Sequence, residues 1–284
     1  MILITGAGGT VGSALVNALK GSGHPLRLAF HTPEKAARAA AAGHDVVTCD
    51  YHRHETLAPA LDGVNALFLL SNGVVGQAEG EINVVEAASA AGVERLVKLS
   101  VWGAGEEAFA LAALHRRVER AIEASGLAWT FLRPNNFMQS FLTYEAASIR
   151  AEGAFYLPAG EARVNHVDVR DIARVAMLAL TEPGHAGKAY ALSGPQAISY
   201  AEAAALLGAA TGRPVRYVSV PDASMHAALM AGGAPAPYAD CLIDLYQYFR
   251  TGGAAGVSSD VKAVTGRDPI PFVQFAREYA AAFV

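Results

Sequence analysis

The sequence predicts an α/β protein, with a doubly wound parallel sheet followed by a smaller, mostly helical C-terminal lobe. Two observations support this fold class. Short apolar runs alternate with helical patterns through the first half of the 284-residue chain. The runs are continuously apolar, as in strands that are buried on both faces of a parallel sheet. Right-handed connections between such strands place helices on both sides of the sheet.

The first twelve residues give the strongest local signal. The apolar run Ile2–Thr5 is typical of a buried strand, glycines follow at three-residue intervals, and a helical pattern begins at once. Glycines permit a tight turn, close approach of a phosphate to the backbone, and close packing of the helix on the sheet. Unpaired N–H groups at the start of a helix bind anions. The predicted contacts to a dinucleotide pyrophosphate are Gly6, Gly9, Thr10, Val11 and Gly12.

The alternative is a glycine-rich turn that binds nothing. That interpretation leaves three regularly spaced glycines unexplained, although each of them costs conformational entropy on folding.

The dinucleotide-binding domain is predicted to cover residues 1–134. Its helices have matching end signals, with Pro33 in a first turn and Gly92 and Gly126 just past two C-termini. The predicted strands are Ile2–Thr5, Leu26–Phe30, Asp45–Thr48, Ala66–Leu70, Leu96–Ser100 and Trp129–Leu132. The predicted helices are Thr10–Lys20, Pro33–Ala42, Gln77–Ala91 and Ala108–Ser125.

Residues 135–284 are predicted to form the substrate lobe, with some strands returning to the sheet. Glycine, proline and alanine breaks separate its elements. The predicted helices are Asp168–Leu180, Tyr200–Thr211, Asp222–Met230, Tyr238–Arg250 and Pro271–Phe283, and the predicted strands are Val164–Val167, Ala189–Leu192 and Val215–Val220.

Composition excludes several function classes. The net charge is −4 and no long basic run occurs, which argues against a nucleic-acid partner. No apolar run approaches the roughly 20 residues of a membrane span, and the N-terminus lacks a signal-peptide pattern. The two cysteines, Cys49 and Cys241, make no disulfide framework. We expect a cytoplasmic protein that acts on a small-molecule substrate, and we leave a homo-oligomer open.

Residues at the end of the second strand favour NADP(H) over NAD(H). In NAD sites, an acidic residue about 20 positions after the glycines binds the ribose 2′-hydroxyl. Here no acid stands directly at the strand end, whereas His31 and Lys35 suit a 2′-phosphate. A solvated helix start is the alternative role for both side chains.

Polar residues also follow the third and fourth strands, where a dinucleotide crosses the edge of a parallel sheet. Asp50 and Tyr51 follow the third strand, and Asp50 is either a partner for the adenine amine or an ordinary turn residue. Leu70, Ser71 and Asn72 end the fourth strand and are predicted cofactor contacts.

The chain resembles the NmrA-like, atypical short-chain dehydrogenase/reductase family. The glycine turn, Val97–Ser100 and His115–Met138 carry the resemblance, and Asn165–Ala173, Tyr190–Gly194 and Val261–Pro269 continue it. The resemblance implies a Rossmann fold and an NAD(P)-dependent reductase, similar to type 2 NAD(P)H:quinone reductases. It also implies that the nicotinamide passes the loop after the sixth strand. We place Ser100, Pro134 and Asn136 at the cofactor there.

One departure from the wider superfamily concerns the proton donor. The helix after the fifth strand has no Tyr-x-x-x-Lys and instead has His115 and Glu119 at the same spacing. Histidine can donate a proton near neutral pH, so His115 is the candidate catalytic residue, and we expect Glu119 to orient it. The alternative is that His115 begins a charged, solvated face with Arg116 and Arg117.

Three functions fit these features. The first is hydride transfer from NAD(P)H to a small electron-poor acceptor such as a quinone, which needs no strong acid beside it. The second is a non-catalytic NADP(H)-binding redox sensor. The third is a tailoring reductase that acts on an imine or alkene in secondary metabolism. Phe137 and Met138 are the predicted walls of a substrate pocket, and an enclosed aromatic pocket favours the enzyme. We predict no metal site, because His166 and Asp168 lie at a strand-to-helix junction where Asp168 or Asp171 can cap the helix.

Overall fold

Strands and helices alternate through the first half of the chain in a computed structural model that describes residues 1–71 and 73–284. The strands are short and apolar, and each is followed by a helix that returns the chain to the start of the next strand. The elements are β1 (Ile2–Ile4), α1 (Thr10–Ala18), β2 (Leu26–Phe30), α2 (Pro33–Ala41), β3 (Asp45–Thr48), α3 (His54–Leu61), β4 (Ala66–Leu69), α4 (Gln77–Ala90), β5 (Arg95–Leu99), α5 (Ala110–Ala124) and β6 (Ala128–Pro134).

The second half is mostly helical. Its elements are α6 (Ala146–Glu152), β7 (Ala154–Leu157), β8 (Arg163–Val164), α7 (Val169–Thr181), β9 (Lys188–Leu192), β10 (Ile198–Ser199), α8 (Tyr200–Thr211), β11 (Arg216–Ser219), α9 (Asp222–Ala231), α10 (Ala236–Arg250), α11 (Asp260–Thr265) and α12 (Phe272–Glu278). Among the described residues, no helix has both the length and the apolar composition needed to cross a membrane.

A seven-stranded sheet in the order β3-β2-β1-β4-β5-β6-β9 forms the centre of the molecule. Every pair of neighbouring strands is parallel. The chain leaves β1 in one direction to build β2 and β3, and in the other to build β4, β5 and β6. The strand order therefore reverses at β1 and β4, and a crevice opens there at the carboxyl ends of the strands. This topology confirms the predicted fold class.

Two apolar layers cover the sheet. On one face, α1 packs against α7, with Leu15 and Val16 of α1 in the same core as Ile172 and Val175 of α7. On the other face, α3, α4 and α5 bury aliphatic side chains such as Val84 against the sheet. Since α7 and β9 both come from the second half of the chain, that half supplies part of the sheet and of its cover. The division at residue 134 stays a prediction.

The C-terminal lobe has its own core, which is rich in aromatic side chains. Phe141 makes edge-to-face contacts with Phe155 and Phe272, at ring-centroid distances of 5.5 and 5.1 Å. Two small sheets frame this core, with β7 parallel to β11 and β8 antiparallel to β10. A π-helical turn over Phe141–Glu145 connects the end of the main sheet to α6.

Several elements differ from the sequence prediction. Helix α3 was not predicted, because it has only eight residues and contains Pro59, which disfavours a helix interior. The helix predicted over Pro271–Phe283 ends at Glu278, and a 3₁₀ turn follows over Ala280–Phe283. The strand predicted from Val164 to Val167 shortens to β8. Strands β7 and β10 and helices α6 and α11 were also not predicted.

The N-cap of α7 leads to a prediction about stability. Asp168 accepts a hydrogen bond from the Arg170 N–H at 2.9 Å, and its fully buried carboxylate also pairs with the Arg170 guanidinium. We expect Asp168→Ala to lower the free energy of unfolding by about 2 kcal/mol, at the upper end for a cap. Ser199→Ala, at the more exposed capping box of α8, should cost about 1 kcal/mol.

Urea unfolding of the two variants and the wild type measures both losses. An equal or smaller loss for Asp168→Ala than for Ser199→Ala would contradict this account of α7.

Candidate active site

A cavity of about 450 Å³ lies at the carboxyl ends of β1, β2, β3 and β4. It occupies the crevice where the strand order reverses. Eight of the predicted cofactor contacts line it, on four different strand ends. They are Gly6, Gly9, His31, Lys35, Asp50, Tyr51, Leu70 and Ser71. We call this space the dinucleotide groove.

A second cavity, of about 250 Å³, continues from the first past the ends of β5 and β6. Leu70 and Ser71 line both cavities, so the two adjoin at the end of β4. We call this second space the acceptor pocket. Its other predicted residues are Ser100, His115, Pro134, Asn136 and Phe137, and its further walls include Trp102, Phe109, Leu245, Tyr248 and Phe249.

Two glycines of the turn lie so close to neighbouring atoms that no side chain would fit at either position without displacing them. Gly6 has a positive φ of 61°, and a Cβ there would lie 2.9 Å from the Leu70 side chain. A Cβ on Gly12 would lie 2.1 Å from the carbonyl oxygen of Gly6. Gly12 therefore lets the first turn of α1 pack closely over the exit of β1, where its nearest neighbours are backbone atoms of Gly6 and Ala7.

Helix α1 begins with unpaired backbone donors. Gly9 is its N-cap and provides no side-chain cap. Within the part of the chain that the structure describes, the N–H groups of Thr10, Val11 and Gly12 have no hydrogen-bond acceptor. The Val11 side chain lies in the core, so this residue can offer only its amide to the groove. A free helix N-terminus beside a glycine-lined groove fits a diphosphate.

The far end of the dinucleotide groove carries the residues predicted to select the cofactor. His31 and Lys35 are exposed at its rim, after β2. Asp50 forms a turn by accepting a hydrogen bond from the His52 N–H at 3.0 Å, and it also lines the groove. Behind it, burial and then the charge of Asp50 raise the pKa of the Cys49 thiol to about 11, so this thiol stays protonated.

Two side chains hold the end of β4 where the cavities meet. The Tyr51 hydroxyl donates to the Leu70 carbonyl at 2.9 Å, and the Thr5 hydroxyl accepts from the Leu70 N–H at 2.8 Å. Ser71 follows and donates its hydroxyl proton to Glu81 at 2.7 Å. Asn72, which was predicted to contact the cofactor, lies outside the described residues.

His115 lies in the acceptor pocket beside a buried ion pair. Its Nδ1 is 3.3 Å from the Lys98 ammonium nitrogen, and Lys98 pairs with Glu81 at 3.0 Å. Burial, and then the positive charge of Lys98, hold the pKa of His115 well below its usual range. The imidazole is therefore neutral at neutral pH and acts as a polar contact without a positive charge. A role in catalysis stays a prediction.

Glu119 does not orient His115, contrary to expectation. Its carboxylate accepts hydrogen bonds from the Ser100 hydroxyl at 2.7 Å and from the Arg133 guanidinium at 3.0 and 2.7 Å. Burial alone would raise the pKa of Glu119, but Arg133, Ser100 and Arg116 together lower it, which keeps the carboxylate charged. Glu119 thus ties the ends of β5 and β6 to α5 and holds the Ser100 side chain in place.

The loop after β6 contributes two asparagines, Asn135 and Asn136, to the lining of the pocket. The Asn136 amide nitrogen lies 3.2 Å from Nδ1 of His166 and 3.4 Å from the Tyr200 hydroxyl. Burial lowers the pKa of His166 to about 3, so that ring is neutral and Nδ1 can accept. Both contacts use the Asn136 amide nitrogen, and its side-chain carbonyl oxygen accepts no hydrogen bond from residues 1–71 and 73–284.

The structure places Phe137 and Met138 on opposite sides of the backbone. Phe137 lines the acceptor pocket, whereas Met138 is 1% exposed and packs in the core of the C-terminal lobe. Successive residues of an extended segment point in opposite directions, and Phe137 bridges Val167 in such a segment. Met138 is therefore not a wall of this pocket.

Sequence reasoning missed Lys98, Glu81 and Arg133. The sequence does contain a pattern that could have identified Lys98 and Glu81. Lys98 stands inside an apolar strand between Val97 and Leu99, and Glu81 lies on the apolar face of α4 together with Val85. Two opposite charges at positions that should be buried indicate a buried pair.

The chain is similar to a known protein family and to two named reductases along nearly its whole length. The NmrA-like family matches residues 1–267. An NAD(P)H azoreductase of Xenophilus azovorans is 39% identical over 284 residues, which cover all of this chain and 99% of the relative. A (4-alkanoyl-5-oxo-2,5-dihydrofuran-3-yl)methyl phosphate reductase of Streptomyces griseus is 40% identical over 286 residues, with 100% and 99% coverage.

The fold is also that of a solved enzyme complex. The crystal structure of the NADPH-dependent quinone oxidoreductase QOR2 of Escherichia coli, complexed with NADPH, superposes with a TM-score of 0.87. The two sequences are 30% identical, and the alignment covers 98% of this chain and 99% of the other.

The glycine turn leads to a prediction about cofactor affinity. We expect Gly12→Ala to weaken NADPH binding at least about tenfold, because the added methyl group must displace the Gly6 carbonyl and so shift the amides at the start of α1. Isothermal titration calorimetry measures the affinity. The control is Ser13→Ala, which changes the exposed next residue and should leave the affinity unchanged. Equal affinity for Gly12→Ala and the wild type would contradict the prediction.

Proposed function

The chain belongs to the NmrA-like family, among relatives that are NAD(P)H-dependent oxidoreductases, and we propose that it transfers hydride from NADPH to a small, flat, electron-poor acceptor. A quinone is the first candidate and an azo compound the second. The observation that supports this proposal best is an aromatic-walled pocket that adjoins a glycine-lined groove at the sheet edge.

The walls of the acceptor pocket are suited to a flat ring. Phe109 stacks on Tyr248 at 4.8 Å between ring centroids, with an interplanar angle of 29°. The Tyr248 hydroxyl and the Trp102 indole N–H both donate to the Gly253 carbonyl, at 2.8 and 3.0 Å. These bonds fix the aromatic surfaces before anything binds. A planar acceptor can bury its faces against such rings without ordering new side chains.

The residues of the site can divide the work of a hydride transfer. A bound NADPH supplies the hydride. The amides at the start of α1 would hold its diphosphate, and the Asn136 side-chain carbonyl oxygen would be available to a donor on the cofactor. His115 offers a hydrogen bond to the heteroatom of the acceptor. The apolar walls exclude water, which strengthens each of these polar contacts.

The same pocket disfavours the redox-sensor alternative. A sensor that reports cofactor occupancy to a partner protein needs an open surface next to the nicotinamide. Here Phe137, Phe249 and Tyr248 wall a pocket at the end of the groove where we expect the nicotinamide.

The first test is turnover. We expect the purified protein to oxidise NADPH in the presence of simple benzoquinones and naphthoquinones, followed at the NADPH absorbance band. Phe137→Ala should raise the KM for the quinone by about tenfold, since it removes apolar contact area, and should leave the KM for NADPH unchanged. Tight NADPH binding without oxidation on any quinone or azo dye would contradict the proposed reaction and favour the sensor.

We further propose that the enzyme prefers NADPH to NADH. Lys35 and His31 stand at the rim of the groove beyond β2, and Asp50 is the one carboxylate among the groove residues that the structure describes. Asp50 lies after β3 and uses one carboxylate oxygen in its own turn. A 2′-phosphate would therefore meet cationic and imidazole groups rather than an acid.

Removing the positive charge of Lys35 tests this cofactor preference. Lys35→Ala should lower kcat/KM for NADPH by about tenfold, near 1.4 kcal/mol, and should leave kcat/KM for NADH unchanged. Arg38→Ala is the matched control, because Arg38 lies on the same helix and does not line the groove. Equal losses with both cofactors, or no loss with NADPH, would contradict the 2′-phosphate role.

A further inference from the structure

Lys98 is a charged side chain in an apolar strand. It lies in β5 between Val97 and Leu99, and its side chain is 0% exposed. A buried ammonium is costly unless every N–H finds a partner. The pairing of Lys98 with Glu81 balances the charge but engages only part of its hydrogen-bonding capacity.

The three protons of the Lys98 ammonium have three acceptors. One is the Glu81 carboxylate, at 3.1 and 3.0 Å from its two oxygens. The second is the Leu99 carbonyl oxygen. The third is Nδ1 of His115, at 3.3 Å. An ammonium group has three donors and no acceptor, so Nδ1 of His115 can take part only as an acceptor.

A neutral imidazole that accepts at Nδ1 carries its proton on Nε2. Nε2 of His115 has no hydrogen-bond partner among residues 1–71 and 73–284, and the ring lines the acceptor pocket. We propose that Lys98 is a positioning residue that fixes His115 as the neutral Nε2–H tautomer, so that the pocket presents a hydrogen-bond donor to the heteroatom of the acceptor. This inference rests on the proposed function for its catalytic meaning.

The ion pair is itself anchored, which makes the assignment specific. The Ser71 hydroxyl donates to Glu81 at 2.7 Å. Three side-chain contacts in series therefore link the end of β4, helix α4, strand β5 and helix α5, through Ser71, Glu81, Lys98 and His115. A structural ion pair between α4 and β5 would need only Glu81 and Lys98. The contact with His115 is the additional feature, and it reaches the pocket.

Histidine nitrogen NMR tests the proposal directly. In the ligand-free protein with ¹⁵N-labelled histidine, we expect His115 to show a protonated Nε2 and an unprotonated Nδ1 at neutral pH. His115→Asn identifies the resonances by their loss. In the double variant Lys98→Met with Glu81→Gln, which removes both buried charges together, His115 should populate both tautomers.

An exposed ion pair between helices α4 and α5 provides the matched control. Arg117 of α5 pairs with Glu79 of α4 at 2.6 Å on the surface, away from His115. Arg117→Met with Glu79→Gln should leave the tautomer and the turnover unchanged. The buried double variant should lower kcat with the quinone by about tenfold, with the KM for NADPH within about twofold of the wild type.

Several outcomes would overturn the proposal. A wild-type His115 with its proton on Nδ1 would do so even if no variant folded. An unchanged tautomer in the folded double variant would also do so, as would an unchanged kcat beside a changed tautomer. The spectra need neither cofactor nor acceptor. Their result is therefore independent of the turnover assay, which tests the proposed function separately.

Discussion

The approach of Gly12 to the Gly6 carbonyl is the constraint on which the rest of the site depends. No side chain fits between the two backbones, since a Cβ would lie 2.1 Å from that oxygen. The approach turns the start of α1 over the end of β1, next to Gly6 and Gly9, which line the dinucleotide groove. The same geometry sends Leu15 and other aliphatic side chains of α1 into the core shared with α7. Cofactor binding and folding of the main sheet therefore have a common origin.

Two ion pairs with buried carboxylates position polar side chains of the acceptor pocket. Glu81 and Glu119 reach the carboxyl end of β5 from α4 and α5, where they meet Lys98 and Arg133. Such pairs are weak sources of stability, because desolvation offsets much of the attraction. Their value here is geometric. They hold Ser100 and His115 at fixed positions between an apolar sheet and an aromatic pocket, where unpaired polar groups would be costly.

Local patterns predicted the fold and the dinucleotide groove because both follow from short-range rules. Glycine spacing, apolar strands and polar strand ends are readable one segment at a time, and the parallel sheet then brings the strand ends to one edge. The partners of His115 could not be predicted in this way. Glu119 has the right spacing along the helix, but its carboxylate turns to Arg133, whereas Lys98 comes from another element. Residue spacing along a helix predicts which face a side chain lies on. Its hydrogen-bond partner depends on how the helix packs against other elements.

A crystal structure of the protein with NADP⁺ tests the central claim most directly. The account predicts diphosphate oxygens within hydrogen-bond distance of the amides at the start of α1, the 2′-phosphate at the rim that carries Lys35, and the nicotinamide between Asn136 and the acceptor pocket. A cofactor whose diphosphate lies away from the glycine turn, with those amides bonded only to water, would contradict it.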